Sequence, residues 1–103
     1  MTTATFIECD QDTLITQIGM MNIMAISGGR GTFRPTGVSL PVSHGYVVEV
    51  DLAANDTYTV QRVMFRAGKR YVKGVRTDVY CDQVGEIAYQ ASCYRNVQFG
   101  EAN

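Results

Sequence analysis

No stretch of this sequence is long enough to cross a bilayer as a helix. The longest nearly apolar run, Ile18 to Ile26, falls well short of the roughly 20 residues a spanning helix needs, and Asn22 interrupts it. No secretory signal is expected from the N-terminal residues: Met1-Thr2-Thr3-Ala4-Thr5 carries no basic residue, and Glu8, Asp10 and Asp12 follow where an apolar core would stand. Cysteine is sparse. Cys9, Cys81 and Cys93 are odd in number and widely spaced, which excludes a disulfide scaffold and suits a reducing compartment. The expected location is the cytoplasm, with no membrane partner. Internal repeats and low-complexity tracts are also absent.

What is present describes a folded domain. The 46% hydrophobic and 18% charged composition belongs to a chain that can offset ordering entropy by burial. With 103 residues there is room for one domain, expected over 1–103, with a structured core at about 10–92 and loosely held tails at 1–9 and 95–103. A formal charge of -1 gives copies little reason to repel one another, so a homo-oligomer is open to this chain.

Asp10 and Asp12 are suited to cap a short helix, since their carboxylates accept the orphan amides of a first turn, and Leu14, Ile15 and Ile18 then share a face. Gly19 is expected to end that helix. Met20 to Ile26 reads as a buried strand before the turn cluster Ser27-Gly28-Gly29-Arg30-Gly31, with a helix continuing through Met24 as the competing reading. Thr32 to Thr36 reads as irregular, and Val38-Ser39-Leu40 before Pro41 as an edge strand, because proline cannot donate to a ladder.

Tyr46 to Leu52 alternates with the period of two of a strand with one buried face. Ala54-Asn55-Asp56 supplies a turn, and the β-branched and aromatic run from Thr57 to Arg66 returns antiparallel. A two-residue loop with Gly68 first predicts a type II′ hairpin. That register sets Arg66 opposite Tyr71, Met64 opposite Lys73 and Arg62 opposite Val75 on an outer face, leaving Val63, Phe65 and Val72 toward the core. A phase change after Val60 predicts a bulge near Gln61 or a strand covered on both sides. Thr77 or Asp78 is expected to cap a last helix running to Ser92, with Tyr80, Val84, Ile87, Ala88 and Ala91 inward and Gly85 at a close approach to a strand. The expected fold is α+β: a short N-terminal helix, an antiparallel β-meander of four to five strands, and a C-terminal helix packed on the sheet.

Catalytic and metal chemistry find little footing. Three thiols and His44 are the residue types zinc takes, yet no close Cys-x-x-Cys pair exists, and a Cys-His nucleophile has no spacing to support it. The pairs Glu49/Asp51 and Asp78/Asp82 read as solvated surface, and Ser27 to Gly31 lacks the Gly-Lys-Ser/Thr end of a phosphate-binding loop. The chain is read as a non-enzyme without metal or cofactor.

Charge is distributed unevenly beneath the near-zero total. Six of the nine basic residues fall between Thr57 and Thr77, where no acid occurs, so that segment carries +6 and the remainder, with three bases and ten acids, -7. Arg62, Arg66, Lys69, Arg70, Lys73 and Arg76, with Tyr71 among them, form a candidate surface for nucleic acid or another acidic partner, combining phosphate attraction with an aromatic stacking platform. The competing reading is an edge hairpin whose cations discourage sheet-to-sheet pairing or meet the chain's own acids.

Four strings in order, Leu14-Ile15-Thr16-Gln17-Ile18-Gly19, Ile23-Met24-Ala25-Ile26-Ser27-Gly28, Asp56-Thr57-Tyr58-Thr59-Val60 and Asp78-Val79-Tyr80-Cys81-Asp82-Gln83, together resemble a family of small uncharacterised bacteriophage and prophage proteins. The resemblance covers most of Leu14 to Ser92 and departs around Gly29 to Ser43. It implies a viral gene product made in the bacterial host cytoplasm and carries over no catalytic residue. Two functions are expected on this footing. One is a binding protein that contacts nucleic acid or an acidic host protein through the basic hairpin; the other is a protein-interaction or self-assembling component without nucleic-acid binding.

Overall fold

The structure, a computed structural model, describes residues 6–93. Two short helices lead, α1 at Gln11–Ile18 and α2 at Met20–Ser27, followed by strands β1 (Thr32–Arg34), β2 (Gly37–Pro41), β3 (Tyr46–Leu52), β4 (Tyr58–Arg66) and β5 (Lys69–Val79), and finally α3 at Val84–Ser92. The five strands form one antiparallel meander in the order β1-β2-β3-β4-β5. The fold is therefore the α+β meander with a C-terminal helix expected from the sequence, with two helices at its start where one was anticipated.

Asp10 caps α1 by accepting the Thr13 amide at 2.9 Å, and these bonds hold its carboxyl below the usual carboxylate range. Gly19 ends the helix at φ 92, a backbone angle that favours glycine. The chain then turns into α2 and not into the strand predicted for Met20 to Ile26. Ile23 and Ile26 point inward one helical turn apart, while Met20, Met21 and Met24 face out. Asn22 Nδ2 donates to Ile18 O at 2.8 Å, tying the two helices across the turn.

All three helices cover one face of the sheet. Beneath them lie Val38 and Leu40 of β2, Val48 and Val50 of β3, and Tyr58 and Val60 of β4, packed against Leu14, Ile18, Ile23, Ile26, Val84, Ala88 and Ala91. Burying each of the valine, leucine and isoleucine side chains is worth about 1.5–3 kcal/mol, which makes this layer the main source of stability. Gly85 of α3 marks a close approach, but to a helix: a Cβ there would stand 2.2 Å from the Ile18 carbonyl oxygen.

Several local expectations are overturned. Thr32 to Arg34 is not irregular but the outer strand, so Val38 to Leu40 is not an edge; β1 reaches only to Ser39, which leaves Pro41 without a neighbour on that side. The last helix begins at Val84 because β5 runs on to Val79, paired with Tyr58, and Tyr80 to Gln83 form a turn. Thr77 and Asp78 are consequently strand residues, Tyr80 is exposed, and Asp82 lies in the turn. Residues 6–9 are not a loose tail: Phe6 bridges Ala53, Ile7 N donates to Leu52 O and Cys9 N to Pro35 O. The tail expectation for 1–5 and 95–103 lies outside the described residues. Among the described residues no helix is long and apolar enough to cross a membrane.

Candidate functional site

The hairpin between β4 and β5 turns on Ala67 and Gly68, at φ 54 and φ 77. Two consecutive left-handed residues make a type I′ loop, so the predicted II′ register, with Gly68 first, is not the one adopted. Arg66 pairs with Lys69, Phe65 with Arg70, Met64 with Tyr71 and Val63 with Val72. Arg62 then pairs with Gly74, which leaves Lys73 as an extra residue in β5, and a second shift falls between Tyr58 and Val60. These bulges lie in β5 on either side of Gln61, and they turn the strand relative to the ladder.

The seven residues expected to form the basic surface consequently separate. Arg62 lies on the helix side of the sheet, 6% exposed. Its Nε donates to Ala91 O and its Nη2 to Cys93 O, both at 2.9 Å, with Gln90 O at 3.5 Å, so the guanidinium closes the carbonyl end of α3. Burial pushes its pKa down from the ordinary arginine value, against the opposing pull of Tyr46 and Cys93. Arg62 is therefore a structural cation and not part of an outer face with Tyr71. Arg70 turns to the opposite side and pairs with Glu49, with Gln61 at 3.4 Å. Arg76 is half-buried opposite Val60. Phe65, expected in the core, is exposed, Val72 is half-buried, and Val63 is fully buried on the face away from the helices.

Arg66, Lys69, Tyr71 and Lys73 remain together. Met64, Arg66, Ala67, Tyr71 and Lys73 line a recess of about 380 Å³ with no acid on its wall. Lys69, directly across the ladder from Arg66, brings a third cation to its rim. Tyr71 is 43% exposed, and the Lys73 ammonium stands 5.8 Å from its ring centroid, a cation–π contact that holds the charge near the ring without burying it. The extra residue in β5 keeps Lys73 beside Tyr71, while Gly74, which is buried, pairs with Arg62.

Sequence reasoning missed a second polar cluster. Asp51, taken for solvated surface, is 2% exposed and pairs with Arg34 Nη1 at 2.6 Å; Thr36 Oγ1 donates to it at 2.8 Å, and Arg34 also reaches Ser39 Oγ and Val38 O. Every charge in this cluster is matched, which makes it a clamp joining β1, β2 and β3. No local pattern could reveal a partner 17 residues away in sequence.

The remaining candidates lie in separate places. His44 is exposed in the short turn Ser43–Gly45, while Cys9 and Cys81 line a separate cavity of about 180 Å³ beside Tyr58 and Gln17. Burial pushes the Cys9 thiol up, partly offset by a hydrogen bond with Tyr58. Among the described residues no group of three or more His, Cys, Asp and Glu is placed to hold a metal ion. A recess of about 480 Å³ under the Gly-rich turn includes Ser27, Arg30 and Ser92. Of the three serines on its wall, Ser27, Ser43 and Ser92, two donate to carbonyls, Ser27 Oγ to Ile23 O at 3.0 Å and Ser92 Oγ to Tyr89 O at 2.6 Å. One cation stands there against three at the hairpin.

The class defined by this geometry is an α+β meander with a cationic, aromatic recess at one hairpin tip. No protein-family model, no curated protein and no solved structure matches the chain.

Proposed function

We propose that the chain is a non-catalytic binding module, a viral gene product of the bacterial cytoplasm, whose β4–β5 hairpin contacts nucleic acid. The observation that carries this reading is the recess lined by Arg66, Tyr71 and Lys73, with Lys69 at its rim and no acid anywhere from Thr57 to Thr77. Cations placed beside an exposed aromatic supply the two attractions a nucleic acid offers, phosphate charge and the faces of its bases. Three cations make a weak site, with dissociation constants on the order of 1–100 µM at physiological salt.

Fluorescence anisotropy of a labelled oligonucleotide against salt tests it. Binding is expected at low ionic strength and to fall steeply as salt rises. The combined variant Arg66→Ala, Lys69→Ala, Lys73→Ala is expected to weaken it by roughly tenfold or more and to flatten the salt dependence. Binding unchanged in that variant, or none at low salt, contradicts the reading.

A second reading, a protein-interaction or self-assembling component, is favoured by α2. Met20, Met21 and Met24 are exposed on a helix with no charged residue, and Met21 is 85% exposed. Such adaptable apolar surface suits a protein partner, either a second copy or a host protein. Concentration-dependent light scattering that Met21→Glu returns to the monomer mass would favour self-assembly. A monomer at every concentration would remove it.

A further inference from the structure

Resting on the nucleic-acid reading above, the geometry points to an unpaired strand, and not a duplex, as the polymer this hairpin takes. The cross-strand pair of Met64 and Tyr71 floors the recess, and the Lys73 ammonium is the charged group placed over the Tyr71 ring. A cation held over a ring marks a π-face that an incoming base can take instead. The displaced ammonium, on a long flexible stem, then reaches the neighbouring phosphate. Arg66 and Lys69, paired at the turn, are placed for the phosphates on either side.

A duplex fits less well. A two-stranded ribbon that enters a major groove reads base edges with free polar side chains. The far face of this hairpin offers exposed Phe65 and half-buried Val72 beside the buried Val63, and the guanidinium of Arg70, its one cation there, is engaged by Glu49 and Gln61. The near face offers an aromatic ring whose partner must be a base with an open face. Paired, stacked bases have none to give, whereas unpaired bases stack readily on an exposed ring.

The experiment uses the full chain with a labelled oligothymidylate, a duplex of the same length, and poly-L-glutamate as competitor. The single strand is expected to bind at least about tenfold more tightly than the duplex, with a log–log salt slope near -2 for three phosphate contacts. Tyr71→Ala is expected to weaken single-strand binding by about 5- to 100-fold, and Tyr71→Phe, which keeps the ring, by less than about twofold. Because Tyr71 is exposed, both variants should keep the circular dichroism spectrum and melting transition of the parent. Equal binding of both forms, a preference for duplex, or a neutral Tyr71→Ala overturns this inference and leaves the nucleic-acid reading standing. No binding of either form, or displacement by poly-L-glutamate at equal charge, overturns both.

Discussion

Arg62→Met is expected to cost about 2–4 kcal/mol of folding stability, and to lower Tm by roughly 10–20 °C, without changing the charge of the hairpin tip. The side chain keeps most of its apolar stem in this substitution and loses only its guanidinium. That group donates to Ala91 O and Cys93 O at 2.9 Å each, at the end of α3 where the last carbonyls have no helical partner. Its positive charge also meets the negative end of the helix dipole. Removing it takes this donor from the buried Ala91 carbonyl and the part-buried Cys93 carbonyl, and α3 covers β3, β4 and the two leading helices. Urea unfolding of the variant checks the figure. A change below about 0.5 kcal/mol would mean that the arginine faces solvent, and it would return Arg62 to the list of binding cations.

Gly37→Ala is expected to be at least as damaging, at about 3 kcal/mol or more. A Cβ at this position would stand 1.8 Å from Val50 O and 2.8 Å from both Asp51 Cα and Val50 C, all of them backbone atoms that cannot swing aside. Strand β2 would have to leave β3 at the Gly37–Asp51 pair. The movement would draw Thr36 away from the Leu52 amide and from the Asp51 carboxylate, and would uncouple Arg34 from its buried partner. Steric and electrostatic losses therefore arrive together. Thermal melting should show a transition lowered by more than about 10 °C or no cooperative transition at all. A stability like that of the parent would refute the close β2–β3 approach.

What the sequence revealed follows from how locally each feature is encoded. Asp10, Gly19, the alternation of Tyr46 to Leu52 and the β-rich Tyr58 to Arg66 carry their instructions within a few residues, and each of those elements is where it was expected. Helix α2 was misread because MMNIMAIS is apolar throughout, and an unbroken apolar run has no period to separate a buried strand from a helix. Its helical form depends on Gly19 turning the chain so that Ile23 and Ile26 meet the core.

The hairpin register failed for a related reason. Glycine-first chemistry favours the II′ loop, and the adopted I′ loop places Ala67 in the left-handed region at a cost of roughly 1–2 kcal/mol. Longer-range gains offset that cost: Val63 meets Val72, and Arg62 reaches the end of α3. The charge imbalance was legible in composition, but the division of its cations was not. One closes a helix, one pairs with Glu49, Arg76 is half-buried opposite Val60, and three gather around Tyr71, because strand parity, a bulge and the reach of α3 decide where each lies.

Residue-resolved titration of the ¹⁵N-labelled chain with a short single-stranded oligonucleotide is the most direct test of that division. Shift changes are predicted to concentrate at Met64 to Lys73 around the hairpin tip, with Arg66, Lys69, Tyr71 and Lys73 moving most and the Arg62 side-chain resonance unmoved at the end of α3. Changes centred on Met20 to Met24 or on the recess at Arg30, or no changes at low salt, would contradict the account.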